Sequence, residues 1–537
     1  MSPLIVMARG QALLLMISRF LLGLPERPRR VPRLSWLLRS EESTWRFAGV
    51  SALVFLSYLI WAHTHHLPWR DESHPWLLAR QAEGFWDLVV GDRRYDGHPP
   101  GWYWTLWLAS FVTRDVWGLH ATTILIASSA VFLFLRFAPF PRLVRLVLVA
   151  GYLISFEYSV MCRNYDLGLL FAFAFASLLN PLRPRPLLLA TMLAGLALTS
   201  VYGLIMAGAL SLILLAESSR LQSTPRGAGL LGLVIERRAL LALGLVVGAL
   251  GFSLWATHPS DPNAAVDTIH WDRINIPGWE ATLQRVTWTT LPLRIDGHAG
   301  FWYTHDQVWS AYPQLFNIAC WALLTVTAFC LLPHPVEALA LVLGAAGFGI
   351  VQMAVYLGSV RHWAQTFVLF LVLCWSARRR KPLRRGGLIP LALFVIGLFQ
   401  CQAAWVALRT TTHIPFSSGA LVAARLKQPD LANLPLVGGP DALMPAVMIH
   451  LDRNFISCET DEWNQTVVFH RRRHHCTADA LLDRAVFVSR ERGQAVSLVS
   501  MVPVPPAHRR AQIELLLVTP KPTLTFEDFY VYRIKAR

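Results

Sequence analysis

The chain has 537 residues, 54% of them hydrophobic and only 15% charged, which is too apolar and too long for one soluble domain. Its formal charge of +16 does not mark a nucleic-acid partner. The basic residues fall mostly between apolar runs, where the positive-inside bias explains them, and no zinc-finger, RNA-binding or P-loop pattern occurs. The runs are continuous rather than alternating, so membrane-spanning helices of about 20 residues are indicated rather than a barrel.

Taken in chain order, residues 1–46 come first. "LIVMARGQALLLMISRFLLGL" has the look of a signal peptide, but Arg9 and Arg19 interrupt it and no small-x-small site follows. It reads as an interfacial amphipathic helix, or a misassigned start. The first span is expected near 47–63. Arg27, Arg29, Arg30, Arg33, Arg39 and Arg46 precede it, so its first end should be cytoplasmic. Asp71 and Glu72 then open an outer loop, 64–116. Within that loop "GWYWTLWLASFV" is short and aromatic, and reads as a helix at the outer interface rather than a span.

Further spans are expected near 117–135, 143–158, 165–181, 187–201, 202–217, 239–257, 314–332, 336–356, 363–377 and 387–406. With the first this makes about eleven. Inside loops then hold Arg136, Arg142 and Arg145, Arg183 and Arg185, Arg220, Arg226, Arg237 and Arg238, and "RRRKPLRR" at 378–385. The transmembrane part is 47–406, with a second large outer loop at 258–313. A tail, 407–537, lies on the non-cytoplasmic face. The expected fold is an all-α polytopic membrane protein with a small C-terminal α/β domain. In the tail, "LPLVGGPDALMPAVMIHL" reads as strand, turn and helix, and "AVFVSR", "IELLLVTP" and "DFYVYRIK" read as strands. Of the 7 cysteines, Cys320, Cys330, Cys374 and Cys401 lie in apolar runs; Cys458 and Cys476 could pair if the tail is extracytoplasmic.

The outer ends gather the chemistry. They carry Asp71 and Glu72, "DGHPPGWYW" with Asp96, His98, Pro99 and Pro100, "EYSVMCRNYDLG" with Glu157, Arg163 and Tyr165, and "YLGSVRHW" with Arg361 and His362. Charges at membrane ends are costly unless paired. A carboxylate can deprotonate an acceptor, and arginine suits a phosphate. Together they suit group transfer from a lipid phosphate, because the leaving phosphate gains charge as the bond breaks.

The order of these pieces resembles the GT-C glycosyltransferases, and among them the protein O-mannosyltransferases and bacterial lipid A aminoarabinose transferases. The matching layout is "DE" after the first span, then "HPP" before an aromatic run, then "R-x-Y" opening a later span. The motifs cover roughly residues 45–220. The resemblance implies an inverting transfer of a sugar from a polyprenyl-phosphate donor to a glycan, lipid or protein outside the cytoplasm of a plasma (inner) membrane. It implies Asp71 as base and Glu72 as its neighbour in tuning or acceptor binding. It implies His98, Pro99 and Pro100 as shaping the site, with Arg163 and Tyr165 near the donor, and Asp96 joins the site-shaping candidates from its outer position. Arg361 and His362 are added as donor-binding candidates from their outer position. "DESHPW" lacks the tyrosine expected after the acidic pair, and the tail differs from those of the best-known relatives, which leaves sugar and acceptor open.

Each residue also has a plainer reading. Asp71 and Glu72 could cap an interfacial helix, His98-Pro99-Pro100 could be a rigid turn, and Arg163 could reach for headgroups. "HTHH" (His63, His65, His66) with Asp71 and His74 matches no strong metal template. No cofactor is required, and a divalent ion stays open because related enzymes vary in metal use. The competing functions are a transporter, which predicts mid-span charges and half-repeats, and a non-catalytic scaffold in envelope assembly.

Overall fold

A computed structural model describes residues 44–180, 182–219, 237–258, 269–293, 302, 307–380, 387–469, 473–505, 509–524 and 526–537. The amphipathic helix expected within 1–46 and the second half of "RRRKPLRR" lie outside these residues.

Helix α1, Trp45–His65, starts where the Thr44 side chain accepts the Phe47 N–H at 3.2 Å. A shorter helix, α2, Arg70–Gln81, follows at its far end. Helix α3, Gly101–Ser110, has ten residues, too few to cross a bilayer, in keeping with the interfacial reading. The bundle continues with α4, Val116–Phe137, then α5, Arg142–Val149, α6, Asn164–Leu178, α7, Pro186–Ala197, α8, Val201–Ser219, and α9, Arg237–Thr257. After α10, Ile276–Thr290, come α11, Pro313–Leu331, α12, Pro335–Ala354, α13, Gln365–Arg380, and α14, Leu388–Thr411.

Seven of the described helices are long and apolar enough to cross a membrane, and α6 and α7 are shorter apolar helices. The expected span 143–158 is not one α-helix. It stops at Val149 and resumes as a π turn, Leu153–Glu157. Gln400 explains the break: its Oε1 accepts the Leu153 N–H at 3.1 Å, a polar side chain from α14 inserted beside the turn.

The two ends of the bundle differ in chemistry. At one end Arg136 lies over the Trp45 ring at 4.6 Å and Arg142 over Phe47 at 5.4 Å. Arg378 donates to Pro139 O, and Arg380 pairs with Glu217 and Glu337. This is the basic end that the positive-inside bias requires. The ends of α1 and α12, and the starts of α4, α6 and α13, meet at the other end.

The tail begins with α15, Gly419–Leu426. Its sheet has β1, Leu436–Gly439, β2, Phe455–Ser457, β3, Trp463–Asn464, β4, Val496–Ser500, β5, Ala511–Val518, and β6, Tyr530–Ala536, in the order β3-β2-β1-β4-β6-β5. The central pairs β2-β1 and β1-β4 are parallel and the rest antiparallel. One expected strand is wrong: "AVFVSR" lies within helix α16, Ala478–Arg492. Thr477 caps it, and Leu481, Leu482, Ala485, Val486 and Ser489 recur at helical spacing on the buried face. The short β-branched run obscures that longer period.

The tail sits on α2. Leu77, fully buried, packs in one cluster with Val422, Met444, Val447 and Met448, and Gln81 Nε2 donates to Gln465 Oε1 at 3.0 Å. Cys458 and Cys476 are bonded, at a sequence separation of 18. Closing a loop of that size should stabilise the tail by about 3 kcal/mol. Cys458→Ser is therefore expected to raise the protease sensitivity of residues 407–537 in intact protein. Unchanged resistance would show that the strands hold the tail unaided.

Candidate active site at the non-basic end of the bundle

The site starts from a proline. In "RDESHPW" the ring of Pro75 lies inside α2, where it offers no N–H to the carbonyl four residues earlier, that of Asp71. Arg163, at the entry to α6, donates its Nη1 to that carbonyl. Two motifs 92 positions apart in sequence are thus joined at the backbone.

The Asp71 carboxylate points to two other cations. Arg361 Nη2 lies 2.9 Å from Oδ2, and Arg70 Nε 3.3 Å from Oδ1. Burial raises the Asp71 carboxyl, but Arg163, Arg361, Arg70 and His98 together outweigh it and hold it below the ordinary carboxylate value. Arg361 is only 4% exposed. It lies between the rings of Trp69 and Trp302, each at 5.3 Å, so its charge is met by two π faces and one carboxylate. Its backbone carbonyl accepts the Tyr158 hydroxyl at 2.6 Å, and Gln365 Nε2 donates to that same hydroxyl at 3.0 Å.

Glu72 has a different environment from its neighbour. Its side chain is fully buried. His66 Nε2 lies 2.9 and 3.0 Å from its two oxygens, and it also accepts the Trp69 N–H at 3.0 Å and the Cys162 N–H at 2.5 Å. It ties the end of α1, the start of α2 and the loop before Arg163 together. The remaining "HTHH" residues diverge: His63 meets His120 at 2.9 Å, while His65 is exposed. Among the described residues no group of three His, Cys, Asp or Glu side chains is arranged to hold a metal ion.

Beyond Arg163 and Arg361 lies an aromatic group. Tyr165, Tyr202 and Tyr356 surround His362 with ring separations of 5.4, 5.2 and 5.3 Å. His362 Nδ1 accepts the Ser359 N–H at 2.8 Å, which leaves the proton of the neutral ring on Nε2. Burial, then Arg361 and Arg163, push His362 well below its ordinary value and keep it neutral. The hydroxyls of Tyr165 and Tyr202 and the Nε of both Arg163 and Arg361 are buried and make no hydrogen bond among the described residues. Buried polar groups normally have partners, so these four donors form a set suited to a polar ligand.

On the other flank Asp96 accepts from His74 Nε2 at 3.0 Å and the Tyr103 hydroxyl at 2.7 Å. His98 interacts electrostatically with both Asp71 and Arg163. Burial and Arg163 push it down to about 4, so it is neutral at pH 7. Pro99 and Pro100 are buried and lead into Gly101. A Cβ there would stand 2.6 Å from Leu198 O, so only glycine lets α3 start against the α7–α8 connection.

The structure therefore brings Asp71, Arg163, Tyr165, Arg361, His362 and His98 into one region. Glu72 and Asp96 stand behind it with their oxygens engaged. Sequence reasoning passed over Trp69, Tyr158, Tyr202 and Trp302, and also Phe526 and Glu527 of the tail. Glu527 Oε1 accepts the Arg70 N–H at 3.1 Å, and burial pushes its carboxyl up to about 8. The only local signal was "FEDFY", an acidic pair between aromatics, which looks like an ordinary strand entry.

No protein-family model and no curated protein matches the chain. Among solved structures it is similar to ArnT from Cupriavidus metallidurans bound to undecaprenyl phosphate, at 13% identity and a TM-score of 0.47, covering 91% of this chain and 98% of that one. A likeness at this identity and overlap assigns no activity.

Glu72→Ala would leave His66 and two buried backbone donors unpaired, each costing about 1–3 kcal/mol. A large fall in melting temperature is expected, larger than that of Asp71→Asn, which loses the counter-charge of Arg361 but keeps an amide oxygen for it. Similar melting of Glu72→Ala and wild type would remove the bracing role.

Proposed function

We propose that this chain is an integral-membrane glycosyltransferase. It moves a sugar from a polyprenyl-phosphate donor to an acceptor on the outer face, with inversion at the anomeric carbon. The observation that carries the reading is one carboxylate held 2.9 Å from a buried arginine, beside unpartnered arginine and tyrosine donors. A proton acceptor and an anion clamp side by side are what displacement of a sugar from a phosphate needs.

The donor phosphate binds between Arg163 and Arg361, with Tyr165 and neutral His362 as further donors. Asp71 takes the proton from the acceptor hydroxyl or amine. The acceptor atom bonds to the anomeric carbon, the bond from that carbon to the phosphate oxygen breaks, and its electron pair leaves on the phosphate. The two guanidinium groups stabilise that growing charge. Arg163 and Arg361 depress Asp71 and make it a weak base. A phosphate that draws Arg361 toward itself relieves this, so donor binding strengthens the base before the acceptor is attacked. Glu72 and Asp96 act as positioning residues, through His66 and His74.

The bilayer is the plasma (inner) membrane, with the basic end of the bundle cytoplasmic. The paired cysteines support a tail in an oxidising compartment outside it.

A radiolabelled polyprenyl-phosphate sugar assay on the purified full-length protein tests the reading. Asp71→Asn is expected to lower kcat by about 10²–10⁴-fold with folding retained. Arg361→Ala and Arg163→Ala should chiefly weaken donor binding. Full activity of Asp71→Asn would remove the proposed base, and transport of the labelled lipid without transfer would favour a carrier.

A further inference from the structure

The tail delivers a carboxylic acid to the residue beside Asp71. Glu527 is 0% exposed, and its Oε1 takes the N–H of Arg70, the first residue of α2. That N–H is one of the donors a helix start leaves without a partner of its own. Phe526 adds a second contact, with its ring 6.0 Å from Trp69 and 5.2 Å from the Arg70 guanidinium. The tail segment is itself held from behind. Thr523 N–H donates to Pro415 O at 2.9 Å, Leu524 N–H to Phe416 O at 3.2 Å, and Glu527 N–H to Leu524 O at 2.9 Å. Phe416 in turn touches His66, the partner of Glu72, and Trp302, the cradle of Arg361.

The groups that face Glu527 are Arg70 and Asp71 of α2 and the hydroxyl-bearing Ser417 of the linker. Its Oε2 is buried and makes no hydrogen bond among the described residues. A full negative charge there would be poorly solvated and would stand next to Asp71. The neutral acid suits that environment.

We propose that Glu527 is a positioning residue for Asp71, so that the tail completes the active site; this rests on the reaction proposed above, in which Asp71 is the base. As the neutral acid it fixes the first turn of α2 without adding charge beside the base. Once it loses its proton, a second carboxylate competes with Asp71 for Arg70, and the Asp71–Arg70 contact of 3.3 Å is disturbed. Because burial places its carboxyl at about 8, activity should fall as pH rises through that value.

The test uses full-length protein in lipid nanodiscs with a labelled polyprenyl-phosphate sugar, from pH 6 to 9.5. Glu527→Ala should lower kcat by roughly tenfold or more, with donor KM changed less than twofold, because misplacing a catalytic group costs rate. Glu527→Gln, which is always neutral and keeps the acceptor for Arg70 N–H, should restore kcat at pH 7 and abolish the alkaline fall. The same alkaline fall in Glu527→Gln and wild type overturns the proposal, as does an unchanged kcat in Glu527→Ala. Melting provides a second readout. The unfolded carboxyl loses its proton near its ordinary value of 4.5 and the folded one near 8, so wild type loses stability against Glu527→Gln across that interval only. A melting difference that stays constant from pH 5 to 8 overturns it too. If wild-type protein transfers no sugar at any pH, the proposed reaction fails, and the melting comparison alone decides the assignment of Glu527.

Discussion

The proposed chemistry depends on one carbonyl that its own helix cannot use. Pro75 withholds the N–H that would otherwise satisfy Asp71 O, and Arg163 supplies the missing donor. A helix with a proline at that point is weakened by about 3 kcal/mol or more. Here the loss is offset by a charged hydrogen bond that ties α2 to the start of α6. Asp71 is thereby fixed in place by its backbone, and its carboxylate is left for Arg361 and Arg70.

The same economy governs Arg361. A guanidinium at 4% exposure needs more than one partner. Trp69 comes from the residue before α2, Trp302 from between α10 and α11, and Asp71 from α2 itself. Two segments distant from its own must assemble on it before this cation can be buried. The tail then closes over the result through Leu77, Phe526 and Glu527. The segment around α2 is therefore held from both sides, by the helical bundle on one and by the sheet domain on the other.

Much of this was legible in residue order. Continuous apolar runs marked most helices, because a helix in lipid must be apolar over nearly its whole length. The short aromatic run at 101 declared itself too brief to span. Arg163, Tyr165, Arg361 and His362 stood out as candidates because polar residues at membrane ends are conspicuous. The failures were of two kinds. "AVFVSR" misled because a short β-branched run matches a strand as well as a helix, and the deciding cap at Thr477 lies outside it. The break after Val149 was hidden because its cause, Gln400, is some 250 residues away.

Sequence alone determined the class of protein: a polytopic membrane chain with a basic end, an opposite end bearing carboxylates and arginines, and a polar tail of mixed structure. Composition and period suffice for that, since both are local. The division of labour between Asp71 and Glu72 was decided only by tertiary structure. Adjacent on the chain, they point in directions 100° apart around a helix, as the period of about 3.6 residues per turn requires. One therefore meets three buried donors, and the other meets two arginines. The place of Glu527 was likewise invisible, because a carboxylate 457 positions away acquires its meaning only from the backbone N–H it reaches.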